Sequence, residues 1–155
     1  MTVEIYRGQK FKFGHERRAY GYFLQDMIDK YSDSEELYTV ISEFEANTAS
    51  IDTLVITNQC LIRIDFKELT QVRVDDSSEV VKIKGKENGL WQYTINDETY
   101  RLGGFSKNPY NQSEEHFYQL AEWLEDHSAD LPRGPWNSRQ ARKYLYSWVV
   151  ISPGF

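Results

Sequence analysis

Asp52, Asp65 and Lys67 are set into the most apolar part of this chain, the stretch SIDTLVITNQCLIRIDFKEL from Ser50 to Leu69. Apolar, β-branched residues run from Ile51 to Ile56 and from Cys60 to Phe66, with Asn58-Gln59 between them. Two such runs split by a polar dipeptide predict a β-hairpin. With the turn centred on Asn58-Gln59, Thr57 faces Cys60, and counting outward sets Asp52 opposite Asp65. Opposed residues of an antiparallel pair share a face, with Cβ atoms roughly 5 Å apart. Lys67, two residues past Asp65, falls on that face as well. Two carboxylates at about 5 Å repel by roughly 3 kcal/mol at an effective dielectric of about 20. A divalent cation between them reverses the sign, since Mg2+ takes one or two carboxylates and keeps positions for water and phosphate oxygens. A neighbouring ammonium group would steady charge on a phosphorane or orient the attacking water. The plainer alternative is a solvated edge-strand face with Asp52 opening its strand from a turn. A bulge in the loop would also flip every side chain to the other face.

Such a hairpin needs a sheet and helices to hold it, and the flanking sequence supplies both. Val3 to Phe13 alternates loosely, as a short edge strand or an extended arm does. From Gly14 a helical pattern carries Tyr20, Phe23, Met27 and Tyr31 at spacings of three and four. Glu16 lies on that stripe one turn ahead of Tyr20, where an acid also suits the helix dipole. Tyr31-Ser32-Asp33-Ser34 closes the helix, and Leu37 to Phe44 reads as the first core strand. Glu43 and Glu45 are expected as solvated strand-end charges. After the hairpin, Val72-Arg73-Val74, Val80 to Ile83, Leu90 to Ile95 and Thr99 to Leu102 predict small antiparallel strands, broken by Asp75-Asp76-Ser77-Ser78, Gly85 and Asn96-Asp97. Trp91 and Tyr93 share one face there, Gln92 and Thr94 the other. Asn108-Pro109-Tyr110 stops the strands, and a helix is expected from Ser113 to about His127, burying Phe117, Leu120, Ala121 and Leu124. Leu131 to Pro135 is a loop, Ser138 to Tyr144 a short helix, and Trp148 to Ile151 the last strand.

At these residues the chain resembles the PD-(D/E)XK nuclease superfamily, and within it the nuclease-related (NERD) domain. The resemblance rests on Gly14-His15-Glu16, on Ile51-Asp52-Thr53-Leu54-Val55-Ile56-Thr57, on Ile64-Asp65-Phe66-Lys67, on Trp91, and on Asn108-Pro109-Tyr110-Asn111-Gln112, in that order over nearly the whole chain. It implies a mixed α/β (α+β) fold with a restriction-endonuclease-like αβββαβ core, a central mixed sheet flanked by helices, and an inserted β-hairpin region over about 70–104. It also implies a metal-dependent nuclease hydrolysing phosphodiester bonds, of DNA before RNA. Asp52 and Asp65 would bind Mg2+ or Mn2+ with Glu16 as a further carboxylate, beside Lys67 and a supporting Gln112. An N-terminal capping neighbour is the alternative for Gln112. The chain departs from the family in carrying Asp65 where Glu is commoner, which shortens the reach by one methylene. It also has Glu68 after Lys67 and lacks the Gly that usually comes a few residues later.

Composition bounds the rest. At 155 residues and 40% hydrophobic, the chain is read as one domain with a full core. An end so soon after the last strand fits a minimal protein or a domain excised from a longer chain. No apolar run has the length of a membrane span and no signal peptide is evident, so no membrane partner is expected. Cys60, the single cysteine, is expected as a small buried hydrophobe, and a chain without internal disulfides suits a cytoplasmic location. His15, His116 and His127 lack zinc spacing. Neither a phosphate loop nor a nucleophile elbow is present. The formal charge of −6 disfavours simple nucleic-acid binding, yet both ends are basic. Arg17, Arg18, Lys107, Arg139, Arg142 and Lys143 are the expected nucleic-acid contacts, with Trp136, Tyr144, Tyr146 and Trp148 interleaved among the C-terminal cations. An ordinary basic strip over core aromatics explains the same pattern equally. A homodimer or fusion to further domains stays open. The rival function is an inactive nuclease-like fold that binds nucleic acid or protein without cutting.

Overall fold

The computed structural model describes residues 3–11, 14–73, 81–103, 108–130 and 141–154. Its elements in chain order are β1 (Val3–Arg7), α1 (Gly14–Tyr31), β2 (Tyr38–Ala46), β3 (Ala49–Ile56), β4 (Leu61–Arg73), β5 (Lys82–Lys84), β6 (Trp91–Ile95), β7 (Glu98–Leu102), α2 (Pro109–Asp126) and β8 (Leu145–Gly154). Short 3-10 turns lie at Ser128–Asp130 and Ala141–Lys143. Five strands form one sheet in the order β1-β2-β3-β4-β8, and β5-β6-β7 form a second. In the main sheet β1 runs parallel to β2 and β8 parallel to β4, while β2, β3 and β4 are antiparallel neighbours. A parallel pair needs a crossover. Helix α1 lies between β1 and β2 in sequence, and α2 between β4 and β8. The succession α1-β2-β3-β4-α2-β8 is the αβββαβ core.

The helices cover opposite faces, as the alternation along β4 requires. Ile64 and Phe66 pack with Ala19, Tyr20 and Met27 of α1 and with Val40 and Val55. Leu61, of opposite parity, packs with Leu120, Ala121 and Leu124 of α2 and with Ala49, Ile51 and Leu54. Burying side chains of this size stabilises by roughly 1.5–3 kcal/mol each, so each helix is held mainly by its apolar stripe. The third cluster is separate: Leu69 and Val72, at the far end of β4, with Tyr93, Ile95 and Leu102 of the small sheet.

Several expected boundaries move. Val72 and Arg73 do not form a strand of their own; they continue β4, which pairs with β8 well past the hairpin. The first core strand runs to Ala46 and the last from Leu145 to Gly154, because both find partners beyond their apolar runs. Helix α2 begins at Pro109 rather than Ser113. Asn108 caps it by accepting from the Asn111 N–H, and proline suits a first turn, whose N–H groups have no helical acceptor. Of the expected helix over Ser138 to Tyr144, the described part is the turn at Ala141–Lys143. Cys60 is half-buried beside the hairpin turn rather than in the core. Val74, Val80, Lys107, Arg133, Trp136 and Arg139 lie outside the described residues.

Candidate metal centre

The hairpin register is the one counted from the turn. Thr57 N–H donates to the Cys60 carbonyl, and Ile56 pairs with Leu61, Val55 with Ile62, Leu54 with Arg63 and Thr53 with Ile64. The ladder stops there, one step short of Asp52 and Asp65. In place of the next backbone acceptor, Asp52 Oδ2 accepts from the Phe66 N–H at 3.0 Å. The alternation of β3 also slips at this point: Ala49, Ile51, Leu54 and Ile56 all pack on the α2 side, Val55 on the α1 side.

The same break shows in β2. Ser42 pairs with Thr53 and Phe44 with Ile51, which leaves Glu43 opposite Asp52 and outside the ladder. Glu43 has φ 51°, the left-handed region that a non-glycine residue rarely occupies. Interrupted pairing and a strained backbone re-aim side chains. Here they bring Glu43, Asp52 and Glu16 of α1 together, with one carboxylate oxygen of each within 4.8 Å of the others. Glu43 is therefore no solvated strand end: it is 5% exposed. The sequence carried no signal for that correction, since an acid next to Phe44 at a strand end reads as surface. Glu45 is exposed, as expected.

Asp65 flanks this cluster from β4. Asp52 shares a hydrogen bond with it, and burial, that bond and the charges of Asp65 and Glu16 push Asp52 up to about 8, against the opposing Phe66 N–H. Lys67 Nζ lies 3.2 Å from Asp65 Oδ2 and donates to Gln112 Oε1 at 2.8 Å. Its side chain is only 16% exposed. Asp65 Oδ2 is buried and makes no hydrogen bond, so that ion pair is its compensation. All five expected site residues, Glu16, Asp52, Asp65, Lys67 and Gln112, thus occupy one region. Gln112 reaches it because α2 starts early and places residue 112 in its first turn.

Arg63 is the second residue that sequence reasoning missed. It precedes Asp65 by two on the same face and is fully buried, donating from Nε to Ser147 Oγ at 3.1 Å and from a terminal nitrogen to Ser113 Oγ. Burial lowers its pKa while Asp65 and Asp52 raise it, and arginine keeps its charge regardless. It is a fixed cation behind the acids. His116, one helical turn beyond Gln112, is half-buried; burial and then Arg63 lower its pKa, so it is neutral at pH 7.

Among the described residues, the expected nucleic-acid contacts are scattered. Arg17 and Arg18 are exposed on α1, lining an open hollow with Gly21, Tyr22 and Gln25, and Arg18 lies 3.5 Å from Glu68. Arg142 pairs with Glu125 at 3.5 Å and sits over the Tyr118 ring, and Lys143 follows it on the surface. Tyr146 and Trp148 are exposed on the edge strand β8, and Tyr144 is half-buried.

The family model of the nuclease-related domain matches residues 14–152. The chain belongs to the NERD family. No curated protein and no solved structure matches it. The match begins at the first residue of α1 and ends inside β8, so the NERD segment contains every residue of the cluster. Among the described residues, no helix is long and apolar enough to cross a membrane.

Proposed function

We propose that this chain is a metal-dependent nuclease that hydrolyses phosphodiester bonds, with DNA as substrate and Mg2+ or Mn2+ as cofactor. The observation that carries the reading is the meeting of Glu16, Glu43 and Asp52 within 4.8 Å, with Asp65 and Lys67 alongside. Four acids do not gather about a buried point for stability, because their mutual repulsion and desolvation both oppose folding. A hard cation fits the donor set, which is carboxylate oxygen throughout, and the buried Asp65 Oδ2 without a hydrogen bond gives it a further acceptor. Glu16, Glu43, Asp52 and Asp65 would hold the ion, directly or through water. Bound there, it supplies Lewis-acid charge and lowers the pKa of a coordinated water.

The protein's own groups do the rest. Asp52, whose burial and hydrogen bond to Asp65 favour its protonated form, would give up that proton to a bound cation's field. Lys67 Nζ, aimed by Asp65 Oδ2 and Gln112 Oε1, offers a cation to the phosphoryl oxygens as their charge grows. Gln112 is a positioning residue. Arg63 keeps the acids together before any ligand arrives.

Cleavage of plasmid and labelled duplex with Mg2+ or Mn2+ tests the reading. Wild type should cut; Asp65→Ala and Asp52→Asn should not. Equal cutting by wild type and both variants would sink it. The second reading, a fold that binds without cutting, draws on the net charge of −6 and on Lys67 being engaged by two partners. It requires ligand binding with no turnover by wild type under any divalent ion.

A further inference from the structure

The small sheet offers a surface that the candidate centre does not use. Its register aligns Lys82 with Thr94 and Thr99, and Lys84 with Gln92 and Arg101. These six residues share one face, as the Thr94–Thr99 hydroxyl contact at 3.2 Å confirms. The opposite face holds Trp91, Tyr93, Ile95, Tyr100 and Leu102, packed toward the end of β4. The outward grid therefore has three cations, three neutral polar groups and no acid, on a protein whose net charge is −6. Glu98 lies on the inward side with Tyr100, and Asp97 is in the turn.

The grid is fastened to two of the elements that build the centre, β4 and the start of α2. Tyr93 Oη is 3.3 Å from Thr70 Oγ1 and accepts from the Gln71 N–H, a few residues after Lys67 on β4. Asn108, the cap of α2, donates to the carbonyls of Lys86, Glu87 and Gly89 in the β5–β6 loop, one turn before Gln112. A ligand held on the small sheet is thereby held in register with Lys67 and Gln112.

Resting on the nuclease reading above, we propose that this outward face of β5-β6-β7 grips the phosphate backbone of double-stranded DNA beyond the bond being cut. Charge complementarity selects a polyanion, and the neutral members, a glutamine and two threonines, are phosphate hydrogen-bonding groups. The rings select the form. Single-strand binders stack bases on exposed aromatics, but here every ring of the sheet turns inward: Trp91 covers Gly85 and donates to the Lys86 carbonyl at 2.7 Å, and Tyr93 stacks on Tyr100. A surface of cations without rings reads backbone, not bases, so binding is sequence-independent.

Fluorescence anisotropy in EDTA, with a labelled duplex of arbitrary sequence and its single strand, tests this on Lys82→Glu/Lys84→Glu and on the milder Lys82→Gln/Lys84→Gln. Arg101 is left alone because it has a contact within the protein. We expect wild type to prefer duplex, and the glutamine pair to lower the slope of log K against log salt by about 1.8, near 0.9 per lost phosphate contact. Charge reversal should weaken duplex binding by at least about 30-fold, while Lys30→Glu on α1 has no effect and Mn2+ affinity by calorimetry is unchanged. Unchanged slope and affinity in both lysine pairs, a single strand bound tighter than duplex, or an effect on anionic vesicles but not DNA would each overturn it. The nuclease reading fails separately, if Asp52→Asn cuts like wild type, whatever the lysine variants bind.

Discussion

Asp52 is the residue on which the candidate centre turns, because it meets acids on both neighbouring strands. It faces Glu43 across one strand gap and Asp65 across the other, and Glu16 descends on it from α1. Asp52→Asn should therefore lower Mn2+ affinity by more than the roughly 10–100-fold usual for outer partners of a metal site, and Glu43→Gln should follow it; calorimetry reads both. Gln112→Ala should leave that affinity alone and slow cleavage by about 10-fold, since among the described residues its side chain reaches the site through its bond with Lys67. The raised pKa of Asp52 has a signed consequence for the metal-free protein. An acid that holds its proton more tightly folded than unfolded makes the native state bind more protons between the two values. Its contribution is greatest below about pH 4 and is lost as pH rises through the folded value of about 8. Urea unfolding in EDTA should show stability falling from pH 5 to pH 8, a slope that Asp52→Asn flattens. Saturating Mn2+ should remove the slope as well, with proton release on binding.

At the scale of elements, the strand break at Glu43 is what turns that surface-looking acid in toward Asp52 and Glu16. Gly8 backs it: its N–H donates to the Ser42 carbonyl, and a Cβ there would sit 2.6 Å from the Glu43 carbonyl oxygen. Because the obstacle is backbone, Gly8→Ala must displace the left-handed turn at Glu43. Urea denaturation should record a loss of about 1–3 kcal/mol, the usual cost of overpacking, together with weaker Mn2+ binding. A stability loss with unaltered ion affinity would show that the break does not aim the carboxylate. Asn108 plays the corresponding part for α2, where one side chain caps the helix and ties down three carbonyls of the β5–β6 loop. Asn108→Ala should cost about 1 kcal/mol for the cap alone, and hydrogen exchange should quicken in the β5–β6 loop.

Across the whole molecule, two clusters sandwich the main sheet and a third joins the small sheet to the end of β4. The third rests on few side chains and on a three-stranded sheet, so it should open first. Native-state hydrogen exchange should show β6 and β7 amides exchanging through a cheaper opening than those of β3 and β4. Equal opening energies would mean that the small sheet and the core unfold as one unit. The separation matters because it sets the proposed grip of Lys82 and Lys84 apart from the proposed metal site, so each can be altered while the other survives.

Local rules made much of this legible from the chain alone. A polar dipeptide between two β-branched runs determined the hairpin and its register, and helical spacing determined which stripes of α1 and α2 are buried. Asp-x-Lys on an apolar strand marked where a buried carboxylate and a lysine meet. These are short-range consequences of side-chain period and turn geometry, which neighbouring residues impose on each other. Glu43 and Arg63 were decided only in three dimensions. Each looks like a surface charge beside apolar neighbours, yet residues distant in sequence surround each: the like-charged Asp52 and Glu16 around Glu43, whose repulsion a bound cation would relieve, and the Ser113 and Ser147 hydroxyls around Arg63. Burying a charge costs several kcal/mol unless it is compensated, and for Arg63, apart from Asp65 close by on the same strand, that compensation comes from α2 and β8. It exists only once the sheet is assembled and both helices are laid upon it.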